Sequence, residues 1–123
     1  VTWCNRREIG GEKLFDKQLP QAHIADSAVS VDAAALLVYR AAWIKDTTGG
    51  RISRESSMAK LFATEEAQKV IDTTVQLFGG EGVVSGNKAE QLYREIRAVR
   101  IYEGASDIQK LIIADQVRAT LTS

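Results

Sequence analysis

One long segment with a helical pattern decides the fold class. Residues 20–50 read PQAHIADSAVSVDAAALLVYRAAWIKDTTGG. Apolar residues recur there at alternating spacings of four and three, which is the period of one helix face. The predicted inward stripe is Ile24, Ala28, Val31, Ala35, Val38 and Ala42, widened by Leu36, Leu37 and Ile44. Pro20 suits a first helical turn and Gly49–Gly50 suits a helix end, so the pattern predicts a helix over about residues 20–47.

Three further segments carry the same helical period and are separated by glycine clusters. They cover about residues 56–78, 87–100 and 106–121. Ser56 or Ser57 can cap the first of the three and Ser106 the last, while Gly79–Gly80 ends the first. Beyond short ambiguous runs, no strand pattern is present. The sequence therefore predicts an all-α protein, a single domain over residues 1–123 built as a four-helix up-and-down bundle.

The pattern also assigns ion pairs and inward faces to these three helices. Glu65 and Glu66 both precede Lys69 at helical spacing, which favours pairing along the helix. The predicted inward residues of the second helix are Met58, Leu61, Phe62, Val70, Ile71, Val75 and Phe78. Those of the third are Leu92, Ile96 and Val99. Those of the fourth are Ile108, Leu111, Ile112 and Leu121, with Val117 close to that side.

Composition excludes several classes of protein. Lys and Arg number 16, as do Asp and Glu, and this balance argues against a dedicated nucleic-acid binder, which carries a basic excess. With one His and one Cys, the chain cannot build a His/Cys metal cluster, and no metal is expected. No apolar run approaches the roughly 20 residues of a membrane span, so no span is predicted. Cys4 is interpreted as a structural thiol, and His23 as a packed or surface histidine rather than a catalytic base.

Two segments contain the candidate binding and catalytic residues. Residues 76–82 read QLFGGEG, either a helix end with a turn or a place where a ligand closely approaches the backbone. The segment fails the tests for a P-loop and for a dinucleotide fingerprint. Residues 100–109 read RIYEGASDIQ and place Glu103 between two helices. Glu103 is either a solvated loop acid or a partly dehydrated general base.

Taken together and in order, several motifs resemble the C-terminal domain of flavin-dependent acyl-CoA dehydrogenases. They stand at residues 37–42, 58–60, 76–82, 92–94, 100–104 and 108–114. The resemblance implies a longer protein with an N-terminal helical domain and a middle β-domain, both absent from this chain. It also implies an enzyme of lipid metabolism and fatty acid β-oxidation, an oxidoreductase that desaturates acyl-CoA thioesters between the α and β carbons.

The resemblance assigns roles to individual residues. Glu103 matches the base that removes the α proton while the β hydrogen leaves as hydride to flavin N5. Tyr102 and Gly104 match the lining of the acyl pocket. The residues matching contacts to FAD are Arg7, Gln76, Leu77, Phe78, Gly79, Gly80, Ala105, Ser106 and Asp107. Of these, residues 76–80 match the segment that touches the FAD of a neighbouring subunit. Two departures weaken that set: Ala105 stands where the family usually has Thr, and the stretch after Arg7 lacks the family's aromatic residue.

The implied partners are an acyl-CoA substrate, further copies of the chain in a dimer or tetramer, and an electron-transfer flavoprotein as acceptor. The implied location is a bacterial cytoplasm or the mitochondrial matrix. The 123-residue chain is expected to be inactive alone, because one part of a composite site does not hold FAD tightly. Alternatives left open are an acyl-CoA oxidase, a dehydrogenase of carrier-protein thioesters, and a non-catalytic helical module for oligomerisation.

Overall fold

Four long helices and one short helix make up most of the computed structural model, which describes residues 1–121. The helices are α1 (Thr2–Arg6), α2 (Gln18–Thr48), α3 (Ser53–Phe78), α4 (Lys88–Val99) and α5 (Ser106–Thr120). Two 3-10 turns cover Leu14–Asp16 and Gly79–Val83, and two short strands are β1 (Glu8–Ile9) and β2 (Glu12–Lys13). The predicted all-α bundle is confirmed, with α2 to α5 as its four helices.

Helix α3 is the centre of the bundle. It packs against α2, α4 and α5, and α1 also contacts it. The seven apolar residues predicted to face inward from α3 are all at least partly buried. On the facing helices, small side chains such as Ala41 and Ala89 are buried, and within α3 Ala59 is buried too. Small residues at these contacts allow helix backbones to approach closely, so the core is thin and built around one helix.

The inward face of α2 differs from the predicted stripe by about one position. Val31, Leu36 and Val38 expose 56, 68 and 46 % of their surface, and Ala28 and Ala42 are exposed as well. The residues that are buried or half-buried along α2 include Pro20, Ile24, Ser27, Ser30, Ala34, Leu37, Ala41 and Ile44. Apolar residues occupy most sides of α2, so hydrophobic spacing alone did not single out the side that meets α3.

The inward face of α5 was also partly wrong. Ile112 is half-buried as predicted, but Ile108, Leu111 and Leu121 expose 50, 63 and 84 % of their surface. The most buried residue of α5 is polar Gln109. A hydrophobic pattern places a glutamine outside, and here its carboxamide hydrogen bonds place it inside.

Two predicted helix ends are confirmed by backbone geometry. Gly49 ends α2 with φ +63° and its N–H donates to the carbonyl of Lys45 at 3.0 Å. Gly79 ends α3 with φ +62°. Both torsions lie in the left-handed half of φ space, where glycine is the residue of lowest cost.

The serine caps were predicted wrongly. Helix α3 begins at Ser53, before both candidates, and the Ser56 hydroxyl donates to the carbonyl of Ile52 at 2.9 Å while Ser57 is buried. Ser106 is the first residue of α5, and its hydroxyl is used in a tertiary hydrogen bond. The one side-chain cap in residues 1–121 is Asn87, whose Oδ1 accepts from the Ala89 N–H at 2.9 Å.

A short β-hairpin near the N-terminus was not predicted. Glu8 pairs with Lys13 and Ile9 with Glu12, antiparallel. The two turn residues, Gly10 and Gly11, have φ +67° and +83°, as a tight two-residue hairpin turn requires. Strands of two mainly polar residues carry no alternating pattern, so only the Gly-Gly pair could have indicated the hairpin.

One helix is long and apolar enough to cross a membrane by length and composition alone, which the search for an unbroken apolar run did not indicate. Helix α2 has 31 residues, and an 18-residue window reaches a mean hydropathy of 1.3. The core helix of a bundle passes the same test when it is mostly buried, whereas 6 % of this window is buried. Helix α2 packs on α3 along its Ile24, Leu37 and Ala41 side.

Candidate functional site

A cleft of about 480 Å³ lies where the N-terminal segment meets the end of α3. Its lining residues are Trp3, Arg7, Ile9, Leu14, Leu19, Pro20, His23, Gln76, Leu77, Phe78, Gly79, Gly80 and Glu81. Six predicted cofactor residues, Arg7 and residues 76–80, therefore come together at one cleft although 69 positions separate Arg7 from Gln76. His23, interpreted as a packed or surface histidine, is exposed and lines the same cleft.

Trp3 fixes this cleft by joining the N-terminal segment to α3. Its indole N–H donates to the carbonyl of Leu77 at 3.1 Å. Its ring stacks on Phe78 with centroids 4.9 Å apart and planes 11° apart, a contact worth roughly 1 kcal/mol beyond burial. The neighbouring Cys4 is almost fully buried. The short helix α1 is thereby held against the end of α3, which keeps Arg7 beside the glycine turn.

The glycines of the turn after α3 differ in the physical reason that glycine stands there. Gly79 needs its positive φ. A Cβ on Gly82 would lie 2.5 Å from the Val75 carbonyl oxygen, so Gly82 is required by packing. Neither reason applies to Gly80: its φ is not in the left-handed region, and no atom lies within 4 Å of the place where a Cβ would stand. Gly80 leaves the cleft open to a group from outside the residues described.

The cleft has the chemistry to hold a flavin dinucleotide. Arg7 offers an exposed guanidinium, which suits phosphate oxygens. The Gly79–Gly80 backbone is unobstructed, and the Trp3, Leu77 and Phe78 side chains supply apolar surface. These residues fit FAD. The other predicted cofactor residues, Ala105, Ser106 and Asp107, are not among the residues that line this cleft.

The predicted base lies in the segment between α4 and α5. Glu103 has φ +56°, a torsion that non-glycine residues rarely adopt, and Gly104 follows at φ +89°. The side chains of Tyr102 and Glu103 are exposed. The partly dehydrated setting considered for Glu103 is therefore not provided by residues 1–121 themselves.

Two side chains from neighbouring helices hold the carbonyl of Gly104. The Lys60 ammonium on α3 donates to that oxygen at 2.6 Å, and the Gln109 carboxamide on α5 donates at 3.2 Å. Gln109 also reaches the Glu103 carbonyl at 3.4 Å. Because both donors are partly or wholly buried, the backbone around Glu103 is fixed even though its side chain is exposed.

A second cluster of side chains joins the two ends of the same segment. The Arg100 guanidinium donates twice to the Glu65 carboxylate, at 2.9 and 2.7 Å, and the Ser106 hydroxyl donates to it as well. The Ser106 hydrogen bond, followed by that of Arg100, lowers the pKa of Glu65 below its ordinary value of 4.5. The pairing predicted along α3 is therefore wrong for Glu65, and Lys69 pairs with Glu66 instead.

Sequence reasoning did not assign Lys60, Glu65 and Gln109 to the site. The partners of Lys60 and Glu65 lie 44 and 35 positions away along the chain, and such long-range pairs leave no local spacing to detect. Gln109 reaches a partner 5 positions away, but a hydrophobic pattern places a glutamine outside. The available signal was that Lys60 and Gln109 stand in stretches, residues 58–60 and 108–114, that carry the family resemblance. Within residues 1–121, no group of three or more His, Cys, Asp or Glu side chains is placed to hold a metal ion.

The acyl-CoA dehydrogenase C-terminal domain family model matches residues 1–118. The chain belongs to the acyl-CoA dehydrogenase family. Cyclohexane-1-carbonyl-CoA dehydrogenase of Geobacter metallireducens is 39 % identical over 111 residues, covering 90 % of the chain and 29 % of that relative. The mitochondrial short-chain specific acyl-CoA dehydrogenase of Sus scrofa is 40 % identical over 114 residues, covering 93 % and 28 %. Subunit CarC of the caffeyl-CoA reductase–Etf complex of Acetobacterium woodii is 36 % identical over 114 residues, covering 93 % and 30 %.

Solved structures of acyl-CoA dehydrogenase relatives share the fold. A glutaryl-coenzyme A dehydrogenase in complex with glutaryl-CoA superposes with a TM-score of 0.86 and 35 % identity, covering 94 % of the chain and 30 % of that structure. An FAD complex of PigA superposes with a TM-score of 0.88 and 27 % identity, with the same coverages. The chain thus spans about 30 % of the length of the relatives it matches.

Proposed function

We propose that this chain is the C-terminal domain of an FAD-dependent acyl-CoA dehydrogenase. The family match supports the domain assignment, and the fraction of each relative that the chain spans supports further sequence elsewhere in the protein. By the resemblance, that sequence would hold an N-terminal helical and a middle β-domain. The substrate class is an acyl-CoA thioester. The name of the glutaryl-CoA complex and the names of the dehydrogenase relatives support that class.

The proposed base is Glu103, and the observation that carries this assignment is its backbone. A non-glycine residue at φ +56° costs of order 1–3 kcal/mol and persists only where the surroundings enforce it. Hydrogen bonds to Gly104 and Glu65 enforce it here. Strain of this kind gathers at functional sites, and the residue that carries it is a carboxylate, the group that proton abstraction needs.

In the reaction, the Glu103 carboxylate takes the proton from the α carbon, and the electron pair of that C–H bond becomes the new α,β double bond. Arg7 and residues 76–80 would hold FAD, and the chemistry that the cofactor would supply when bound is acceptance of the hydride that leaves the β carbon. The Glu103 N–H donates to the thioester carbonyl oxygen as negative charge develops there. Substrate and the other domains would exclude water from the exposed Glu103 side chain, which strengthens these interactions.

Two groups of residues would meet FAD. Arg7 and residues 76–80 at the cleft form one group, and the start of α5 at Ala105, Ser106 and Asp107 forms the other. The Ser106 hydroxyl donates to Glu65 and its N–H donates to the Arg100 carbonyl, so both donors of Ser106 are already used within the chain. Tyr102 and Gly104 would line the acyl pocket. Exposed Tyr102 has surface available for that contact.

The proposed partners are further copies of the chain and an electron-transfer flavoprotein. Exposed apolar side chains on α2, including Leu36, Tyr39 and Trp43 at 68, 70 and 66 %, support burial against another surface. The name of the Acetobacterium complex supports the electron-transfer partner. The proposed location is a bacterial cytoplasm or the mitochondrial matrix, and the proposed process is fatty acid β-oxidation.

The test is Glu103→Gln in the full-length, flavin-loaded protein. We expect kcat to fall by about 10² to 10⁴-fold, with flavin content unchanged, because the glutamine side chain matches glutamate in size but its carboxamide accepts no proton. Glu95→Gln is the matched control, since Glu95 is an exposed acid on α4 that hydrogen-bonds only its helix neighbour Gln91 among the bonds described. Turnover by Glu103→Gln at the control's rate would refute the assignment.

A second candidate uses the same site to reduce an α,β-unsaturated acyl-CoA. It is supported by the Acetobacterium relative, which is named as part of a reductase complex. Glu103 in its acid form would then deliver the α proton. Assays with reduced electron-transfer flavoprotein and an enoyl-CoA, against oxidised acceptor and an acyl-CoA, separate the two directions. Peroxide formation under oxygen would instead indicate an oxidase.

A further inference from the structure

The segment that carries Glu103 is bracketed by two residues that meet on one carboxylate. Arg100 precedes the segment and Ser106 follows it, and both donate to Glu65 on α3. The Ser106 N–H also donates to the Arg100 carbonyl at 3.2 Å, which closes the segment at its base. The two ends of the loop are thereby joined by one backbone hydrogen bond and by a single carboxylate from another helix.

The loop is also held at its tip from the same helix. Lys60, five residues before Glu65 on α3, donates to the carbonyl of Gly104 at 2.6 Å. Buried Gln109 on α5 donates to the same oxygen. Helix α3 therefore contacts the loop at its base through Glu65 and beside Glu103 through Lys60. The two contacts oppose relaxation of the strained torsion of Glu103.

We propose that Glu65 is a positioning residue for the reaction. It holds Arg100 and Ser106 together at the two ends of the loop and thereby orients Glu103. This rests on the proposed function of Glu103 as the base. The two Arg100 bonds form a planar fork, which fixes orientation as well as distance. Both side chains are mostly covered, at 23 and 27 % exposed, so the pair is more than a solvated surface contact. Its loss leaves the Ser106 N–H to Arg100 carbonyl bond as the remaining link between the loop ends, which loosens the loop and moves the Glu103 carboxylate away from the α carbon.

The chain offers a matched control beside Glu65. Glu66 is the next residue on α3 and also accepts from a serine and a cation, Ser30 at 2.8 Å and Lys69 at 2.5 Å. Those partners lie on α2 and on α3, away from the loop. Substitution of either glutamate by glutamine thus removes one charge from a hydrogen-bonded carboxylate on the same helix, and only Glu65→Gln disturbs the loop.

The experiment compares Glu65→Gln with Glu66→Gln in the full-length, flavin-loaded protein. We expect Glu65→Gln to lower kcat per bound flavin by about 10- to 100-fold, because a misplacement near 1 Å costs up to about 100-fold. KM is expected to stay within about 3-fold, and the kinetic isotope effect from an α-deuterated acyl-CoA is expected to rise as proton removal becomes slower than the other steps. We expect Glu66→Gln to stay within about 2-fold of wild type in kcat. Partial unfolding would lower flavin content but would leave the isotope effect unchanged.

Equal kcat and equal isotope effects in Glu65→Gln and Glu66→Gln would overturn the proposal. If Glu65→Gln does not fold, Arg100→Lys replaces it, since lysine keeps the charge but loses the fork, and wild-type kcat in that variant would overturn the proposal as well. Glu103→Gln tests the proposed catalytic base separately from the proposed role of Glu65. Full activity in Glu103→Gln refutes the proposed base, whereas an inactive Glu103→Gln with an unaffected Glu65→Gln refutes only the role of Glu65.

Discussion

Two glycines in one turn are predicted to differ in how much stability the protein loses when each is replaced by alanine. Gly80 and Gly82 lie two residues apart in the 3-10 turn after α3, and neither has a left-handed φ. Alanine is therefore compatible with the backbone at both positions. The two sites differ in what a Cβ meets: open space at Gly80, and the Val75 carbonyl oxygen at 2.5 Å and the Phe78 Cβ at 3.0 Å at Gly82.

The expected magnitudes follow from those contacts. Ordinary van der Waals contact begins at 3.4 Å, so a Cβ at Gly82 is 0.9 Å too close to Val75 (3.4 minus 2.5). The obstacle is helix backbone, which does not rotate away as a side chain does. Overpacking of this kind costs about 1–3 kcal/mol. A chain of this length loses about 4 °C in Tm for each kcal/mol, so Gly82→Ala is expected to lower Tm by roughly 4–12 °C.

The assay is thermal unfolding of the 123-residue chain followed by far-UV circular dichroism, with Gly80→Ala as the control. Gly80→Ala is expected to stay within about 0.5 kcal/mol, or roughly 2 °C, of wild type. In the full-length protein the measured quantity is flavin content. Gly80→Ala places its methyl in the proposed FAD cleft and is expected to lower that content. Equal Tm values for the two variants would refute the packing argument for Gly82.

Two further predictions concern a carboxylate and a helix contact. The folded pKa of Glu65 is lowered below 4.5 by its hydroxyl and guanidinium partners, so its stabilisation is complete above about pH 4.5 and is lost as the pH falls through the folded pKa. Urea midpoints measured against pH should accordingly show wild type losing its advantage over Glu65→Gln in acid, and a constant difference would contradict this. Ala41 is 7 % exposed on the side of α2 that meets α3, so Ala41→Leu should destabilise by about 1–3 kcal/mol. Ala42→Leu, at an exposed position, should stay within about 0.5 kcal/mol by urea unfolding, and similar losses in both would contradict the assigned face.

Helix positions were predictable because their signals are local. The four long helices lie within about three residues of their predicted ends, and glycines with positive φ end α2 and α3 where expected. Faces were less predictable. Helix α2 is apolar on most sides, so the buried Ala41 could not be told from the exposed Ala42 beside it. On α5 a buried glutamine defines the inward side, which a hydrophobic pattern cannot indicate.

The candidate site also contains some residues that the sequence indicated and others that it did not. Motif resemblance picked out Arg7, residues 76–80 and Glu103, and the structure brings Arg7 and residues 76–80 to one cleft. The side chains that hold the Glu103 loop were missed, since Lys60 and Glu65 reach partners 44 and 35 positions away. Nothing in the spacing of those residues distinguishes them from ordinary charged positions on a helix face.

The sequence by itself determined the all-α class, the lengths of the four helices, the glycine helix ends and the family, because each depends on residues close together in the chain or on ordered motifs. Only the tertiary structure decided which side of each helix is buried and which distant residues fix the torsion of Glu103. Those depend on where α3 sits between its neighbours. Helix spacing is a one-dimensional property, whereas the clamp of Arg100 and Ser106 on Glu65 exists only once the end of α4 and the start of α5 meet the middle of α3 in space.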